Sequence, residues 1–182
     1  YAPYALSSDY MPQIYGVMSR TNAGGALVAG LFFSIGIFAL RRPLARRALL
    51  TLAVGAFTWT NWNSAAQWAG AWSLQKDILA QAAPLAAQLP PKATVLLAGA
   101  PSFVGHAIAF DASWDFAPAL RLTTKRPDLS GNVVSSRMSF EKDGVYDRAD
   151  GDRKLYSYGN LYLFDYSRGT MTRLAAASKR DL

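Results

Sequence analysis

The chain has 182 residues, 51% hydrophobic and 17% charged, with a formal net charge of +7 and no cysteine. The missing cysteines exclude disulfides, thiolate metal sites and cysteine nucleophiles. Charge is scarcest in residues 21–72, which hold only four charges, all arginine, whereas residues 73–182 hold 14 Lys/Arg against 11 Asp/Glu. Five arginines against Asp9 give the first 72 residues +4, and the remaining 110 carry only +3, so the basic excess does not describe a nucleic-acid surface.

In chain order, residues 1–20 form an N-terminal segment that lacks the basic and apolar regions of a signal peptide. Starting at Tyr1 rather than Met, the chain reads as part of a longer one. Ala23 to Leu40 is free of charge and, with Thr21 and Asn22, gives about 20 residues or about 30 Å of helix, enough to cross a bilayer core. Pro43 ends that helix. A second apolar run extends from Ala48 to Trp72. The expectation is a two-helix transmembrane hairpin over residues 21–72. Arg41, Arg42, Arg46 and Arg47 fix the connecting loop, residues 41–47, in the cytoplasm by the positive-inside rule.

The second run carries Trp59, Trp62, Trp68 and Trp72, the last two placed as interfacial anchors. Thr60, Asn63, Ser64 and Gln67 follow i, i+3, i+4, i+7 spacing and form one polar stripe. Such a stripe belongs against protein or a wet cavity, not lipid tails. Ala26, Gly30 and Ser34 recur at four-residue intervals as a small-residue seam that allows close helix approach. Together these seven residues form the expected interface with other membrane subunits. Neither helix contains histidine, so no haem or chlorin ligand is expected, and no cofactor is assigned.

Residues 73–182 read as a small extracytoplasmic α/β (α+β) domain. Leu74, Ile78, Leu85 and Leu89 mark a helix from Ser73 to Gln88, which Pro84 should kink or split and Pro90-Pro91 end. Ala93–Gly99 is an apolar run read as a fully buried strand. His106–Phe110 is a strand or a helix start, and Ser113–Leu122 a short helix capped by Ser113. Beyond residue 131, turn signals at Asp143-Gly144, Asp150-Gly151, Gly159-Asn160 and Arg168-Gly169 separate short β-prone stretches, the rhythm of an antiparallel meander. In Leu161–Tyr166, the side bearing Tyr162, Phe164 and Tyr166 is expected to cover the core.

Candidate chemistry is sparse. Ser102, His106 and Asp111 or Asp115 are the set closest to a nucleophilic triad, but Ser102 is in no nucleophile elbow. Glu141, Asp143, Asp147, Asp150 and Asp152 form an acidic cluster without EF-hand spacing and interleaved with basic residues. Gly99–Gly105 lacks the glycine pattern and lysine of a phosphate loop. Arg121, Lys125 and Arg126 read as a solvated basic edge. No catalytic or metal-binding residue is assigned.

The landmarks in order are Ser8-Asp9-Tyr10-Met11-Pro12, a helix, the arginine loop and a tryptophan-rich helix. Gln75-Lys76-Asp77-Ile78-Leu79, Leu89-Pro90-Pro91, the Val95-Leu96-Leu97 strand ending in Gly99-Ala100-Pro101, and Trp114 to Leu122 follow. Over residues 5–125 this resembles the C-terminal end of bacterial polytopic proteins related to the polyprenyl-phosphate-sugar-dependent membrane glycosyltransferases. Asp9 departs from that pattern, where arginine is typical. The resemblance implies that the catalytic acid and the lipid-sugar groove lie in N-terminal loops and helices not contained in this sequence, so no catalytic residue carries over. The leading expectation is a non-catalytic, membrane-anchored accessory subunit of a larger bioenergetic, light-harvesting or envelope complex in the bacterial inner membrane. Its partners are then other membrane subunits and the lipid bilayer, with no nucleic acid, and its C-terminal domain is periplasmic. The alternative is the C-terminal portion of a glycosyltransferase-like polytopic enzyme that uses lipid-linked sugars.

Overall fold

A computed structural model describes residues 23–148 and 154–175 of the chain. Two compact units emerge. One comprises the chain up to Gly70 together with Val104–Ile108, the other Ala71–Phe103 together with the chain from Ala109. The N-terminal segment 1–20, with its Ser8–Pro12 motif, lies outside the described residues.

The helical unit is built from α1 (Ala23–Ala39) and the first part of α2 (Pro43–Ala87). It overturns the expected transmembrane hairpin: among the described residues, no helix is long and apolar enough to cross a membrane. α1 is described over the 17 residues Ala23–Ala39. α2 has 45 residues, but Arg46 and Arg47 lie in its opening turns, and Thr60, Asn61, Asn63, Ser64 and Gln67 interrupt its apolar run. The topological role assigned to Arg41, Arg42, Arg46 and Arg47 and the interfacial-anchor role of Trp68 and Trp72 presupposed that crossing. In the seam, Gly30 has no atom within reach of a Cβ, and Ser34 Oγ donates to the Gly30 carbonyl of its own helix at 2.8 Å. The side chain of Ala26 lies outside those described.

The α/β unit begins with the remainder of α2, which runs through Pro84 to Ala87 without splitting. A proline inside a helix removes one N–H bond, and here the burial of Ile78, Ala82 and Ala86 at four-residue intervals offsets that loss. Next come β1 (Thr94–Ala98) and α3 (Ser113–Thr124), with the two-residue strands β2 (Phe103–Val104) and β3 (Ala107–Ile108) between them in the chain, Val104–Ile108 belonging to the helical unit. β4 (Ser130–Val133), β5 (Met138–Phe140), β6 (Gly144–Asp147), β7 (Lys154–Ser157), β8 (Leu161–Asp165) and β9 (Thr170–Arg173) complete it. Ser113 does not cap α3. The Asp115 carboxylate instead accepts the Ala112 and Asp111 N–H groups at 3.2 and 2.9 Å, placing negative charge where the helix dipole favours it.

The expected single antiparallel meander is divided. β5, β6 and β7 form a three-stranded antiparallel sheet, whereas β8 leaves it to lie parallel to β1. The larger sheet has the order β4-β1-β8-β9, with β1 parallel to both neighbours and β9 antiparallel to β8. α3 is the crossover from β1 to its parallel neighbour β4, since parallel strands cannot be joined by a tight turn. Val95, Leu96 and Leu97 are all fully buried, as expected for a parallel strand covered on both faces. Val95 and Leu97 join Ile78, Phe116, Leu120 and Phe164 in one core. Leu96 joins Leu161, Val145 and Tyr156 in a second core on the other face.

Candidate functional site

The polar stripe of α2 meets a loop of its own chain and lines a cavity. A turn of helix places Thr60, Asn63, Ser64 and Gln67 along one side, and the loop carrying Gly105 and His106 folds against them. The Gln67 side-chain oxygen accepts the His106 backbone N–H at 2.8 Å, and Ser64 Oγ lies 3.2 Å from His106 Nε2. Gly105 makes the approach possible. Its φ is +62°, and a Cβ there would stand 2.2 Å from the Gln67 side-chain oxygen. Beside this contact, a cavity of about 650 Å³ is lined by Trp59, Thr60, Asn61, Asn63, Ser64, Gln67 and His106.

The stripe is therefore divided by role. Ser64 and Gln67 hold the His106 loop. Thr60 Oγ1 and Asn61 Nδ2 donate to the Ala56 and Phe57 carbonyls one turn back, each at 2.8 Å, the local bond that polar helix side chains make to their own backbone. Asn63 is exposed at the cavity. The lining carries indole, hydroxyl, carboxamide and imidazole groups and no formally charged Lys, Arg, Asp or Glu.

His106 is thus drawn to Ser64, not into the triad-like set suggested by the sequence. Ser102 contributes its backbone carbonyl to the Ala109 N–H. Asp115 caps α3, and its burial raises its pKa against the lowering effect of the N–H groups it accepts. Of the acidic cluster, only Glu141, Asp143 and Asp147 are among the described residues. Asp143 accepts the Tyr146 hydroxyl, Asp147 is buried against Asn132, and Asp150 and Asp152 lie outside the described residues. Among the described residues, no group of three or more His, Cys, Asp or Glu is placed to hold a metal ion.

Two structural sites were missed in the sequence. Arg126, read as part of a solvated edge, donates to the Leu89, Ala87, Pro90 and Ala86 carbonyls at 2.6, 3.2, 3.2 and 3.5 Å, closing the C-terminal end of α2. Asp128 fixes the guanidinium at 2.6 Å and accepts the Lys92 N–H at 2.9 Å. The arginine beside it holds the Asp128 carboxyl down at about 2. The second site is the pair of bonds from Asn132 Nδ2 to Asp147 Oδ2 at 2.7 Å and to the Tyr156 hydroxyl at 2.9 Å. It ties β4 to β6 and β7 inside the core. No sequence spacing announces either one, because the partners stand 15 to 39 residues apart in the closer contacts. Comparison with protein-family models, with curated proteins and with solved structures found no match to this chain.

Proposed function

We propose that the chain is a non-catalytic accessory subunit of a larger assembly at the bacterial inner membrane, held there by the helices of partner subunits. One observation carries this reading. Large apolar side chains stand exposed around the helical unit, among them Leu31, Phe32, Leu52, Phe57 and Trp62. So many large apolar side chains exposed on two helices mark a surface that something else covers. Helices of partner subunits provide a matching surface.

The polar groups within that surface support the same reading. Ser34, Thr60 and Asn61 spend donors on their own helix, which lowers the cost of burying them beneath a partner. Asn63 offers a carboxamide for a bond across the contact. The test is affinity purification of the intact assembly from its native membrane, followed by quantification of subunit ratios. The chain is expected in fixed stoichiometry with other membrane subunits, and Asn63→Leu combined with Gln67→Leu is expected to lower its occupancy. Full occupancy of the double variant would count against docking through this side of α2. A gene that continues upstream into many more helices and a loop aspartate would instead favour the C-terminal part of a glycosyltransferase-like enzyme.

A further inference from the structure

With no helix among the described residues long and apolar enough to cross a bilayer, the four clustered arginines invite a different account. α1 ends at Ala39 and α2 begins at Pro43, so Arg41 and Arg42 occupy the connection, and Arg46 and Arg47 the opening turns of α2. Arg41, Arg42 and Arg47 are exposed, and Arg46 is half-buried with its Cζ 6.0 Å from the centre of the Phe38 ring. Large apolar side chains are interleaved with them: Phe38 is 69% exposed, Leu40 38% and Leu44 82%. No aspartate or glutamate occurs between Asp9 and Asp77.

We infer that this tip of the helical unit docks on the surface of a bilayer rich in anionic phospholipid, with Arg41, Arg42, Arg46 and Arg47 on the phosphates and Phe38, Leu40 and Leu44 in the headgroup–acyl boundary. Guanidinium is the side-chain group best suited to phosphate, since its planar fork donates two parallel bonds. Charge alone would suit a nucleic acid equally well. The exposed leucines and phenylalanine decide between them, because an interfacial segment gains from apolar burial as well as from anionic charge, whereas a phosphodiester backbone offers no apolar layer for three such side chains. The contact is with the surface and involves no crossing. It deepens the proposed function by naming the lipid that such an assembly's surface would offer.

The experiment is vesicle flotation of the purified full chain at low and high salt, with phosphatidylcholine vesicles alone or mixed with phosphatidylglycerol. Binding to the mixed vesicles is expected to be stronger by roughly several hundredfold, taking about fivefold for each of four basic residues near an anionic surface, and to weaken with salt. Arg41→Gln, Arg42→Gln, Arg46→Gln and Arg47→Gln combined should abolish that preference while the helical circular dichroism stays unchanged. Phe38→Ser with Leu44→Ser should weaken binding to both kinds of vesicle. Equal binding to neutral and anionic vesicles overturns the inference, as does a preference that survives the four glutamines. An oligonucleotide that displaces the chain from anionic vesicles at equal phosphate concentration also overturns it. Loss of co-purification with intact phosphatidylglycerol preference would refute the accessory-subunit reading alone. Co-purification without that preference would refute only the lipid contact.

Discussion

Arg126 concentrates more structural duty than any other cation in the α/β unit, since one guanidinium serves four carbonyls at a helix end and a carboxylate besides. Those carbonyls have no intrahelical donor, and positive charge there opposes the helix dipole. Arg126→Leu is expected to lower the melting temperature and to speed amide exchange in the last turn of α2, read by hydrogen–deuterium exchange. Asp128 adds a pH dependence whose sign follows from its depressed pKa. Its contribution is fully present above the ordinary carboxylate range near 3.8 and is lost as pH falls through about 2. Asp128→Asn should therefore flatten the fall in melting temperature between those values. Asn132 is the buried counterpart, only 1% exposed. Asn132→Leu withdraws a donor from both the Asp147 carboxylate and the Tyr156 hydroxyl, and should cost about 2 kcal/mol or more in urea unfolding. If the variant unfolds at the wild-type urea midpoint, the bond pair carries no net stability.

At the scale of elements, the α/β unit depends on close approach of α3 to the sheet. Gly131 lies in β4 beneath α3, and a Cβ there would stand 2.9 Å from Phe116 Cδ1 and 3.2 Å from its Cε1. Phe116 is fully buried, so its ring has little room to give. Gly131→Ala should destabilise the unit by about 1–3 kcal/mol, the usual cost of overpacking a tight core. A wild-type denaturation midpoint for that variant would show that α3 can shift outward freely. β8 explains why the sheet is mixed. Phe164, with Tyr162 and Tyr166, faces the helices, while Leu161 and Leu163 face the smaller sheet. A strand apolar on both faces is stabilised only where both are covered. Pairing with β1 provides that, and an end position in a one-sided meander does not. Tyr166 strengthens the placement by donating to Asp77 of α2 at 2.6 Å, and this bond raises the tyrosine's pKa.

At the scale of the whole molecule, the two units differ in what covers their apolar groups. The α/β unit buries its own, with two clusters of fully buried side chains. Among the described residues, the helical unit leaves most of its large apolar groups exposed. A fragment spanning residues 71–182 is therefore expected to remain monomeric and to unfold cooperatively, checked by light scattering and thermal melting. The intact chain without partner or lipid should self-associate, because its apolar helices then have only one another to cover them. A monomeric, non-aggregating intact chain in plain buffer would contradict that division.

Much of the local order could be read from residue types alone. Val95-Leu96-Leu97 announced a strand covered on both faces, the Pro90-Pro91 pair ended a helix, and the 3.6-residue spacing placed Thr60, Asn63, Ser64 and Gln67 on one side of α2. These are short-range consequences of backbone stereochemistry and side-chain periodicity. The arginine cluster and its neighbouring apolar runs also stood out, but a count of apolar residues does not say where a helix stops. Among the described residues no helix is long and apolar enough to cross, α2 because Thr60, Asn61, Asn63, Ser64 and Gln67 interrupt its apolar run. The seating of His106 against Ser64, the parallel course of β8 beside β1, and the engagement of Arg126 with the end of α2 were decided only by the tertiary structure. Each joins groups 37 to 67 residues apart, and a hydrogen bond or a ladder is selected by which surfaces remain uncovered once the chain has folded, a quantity that no local window contains.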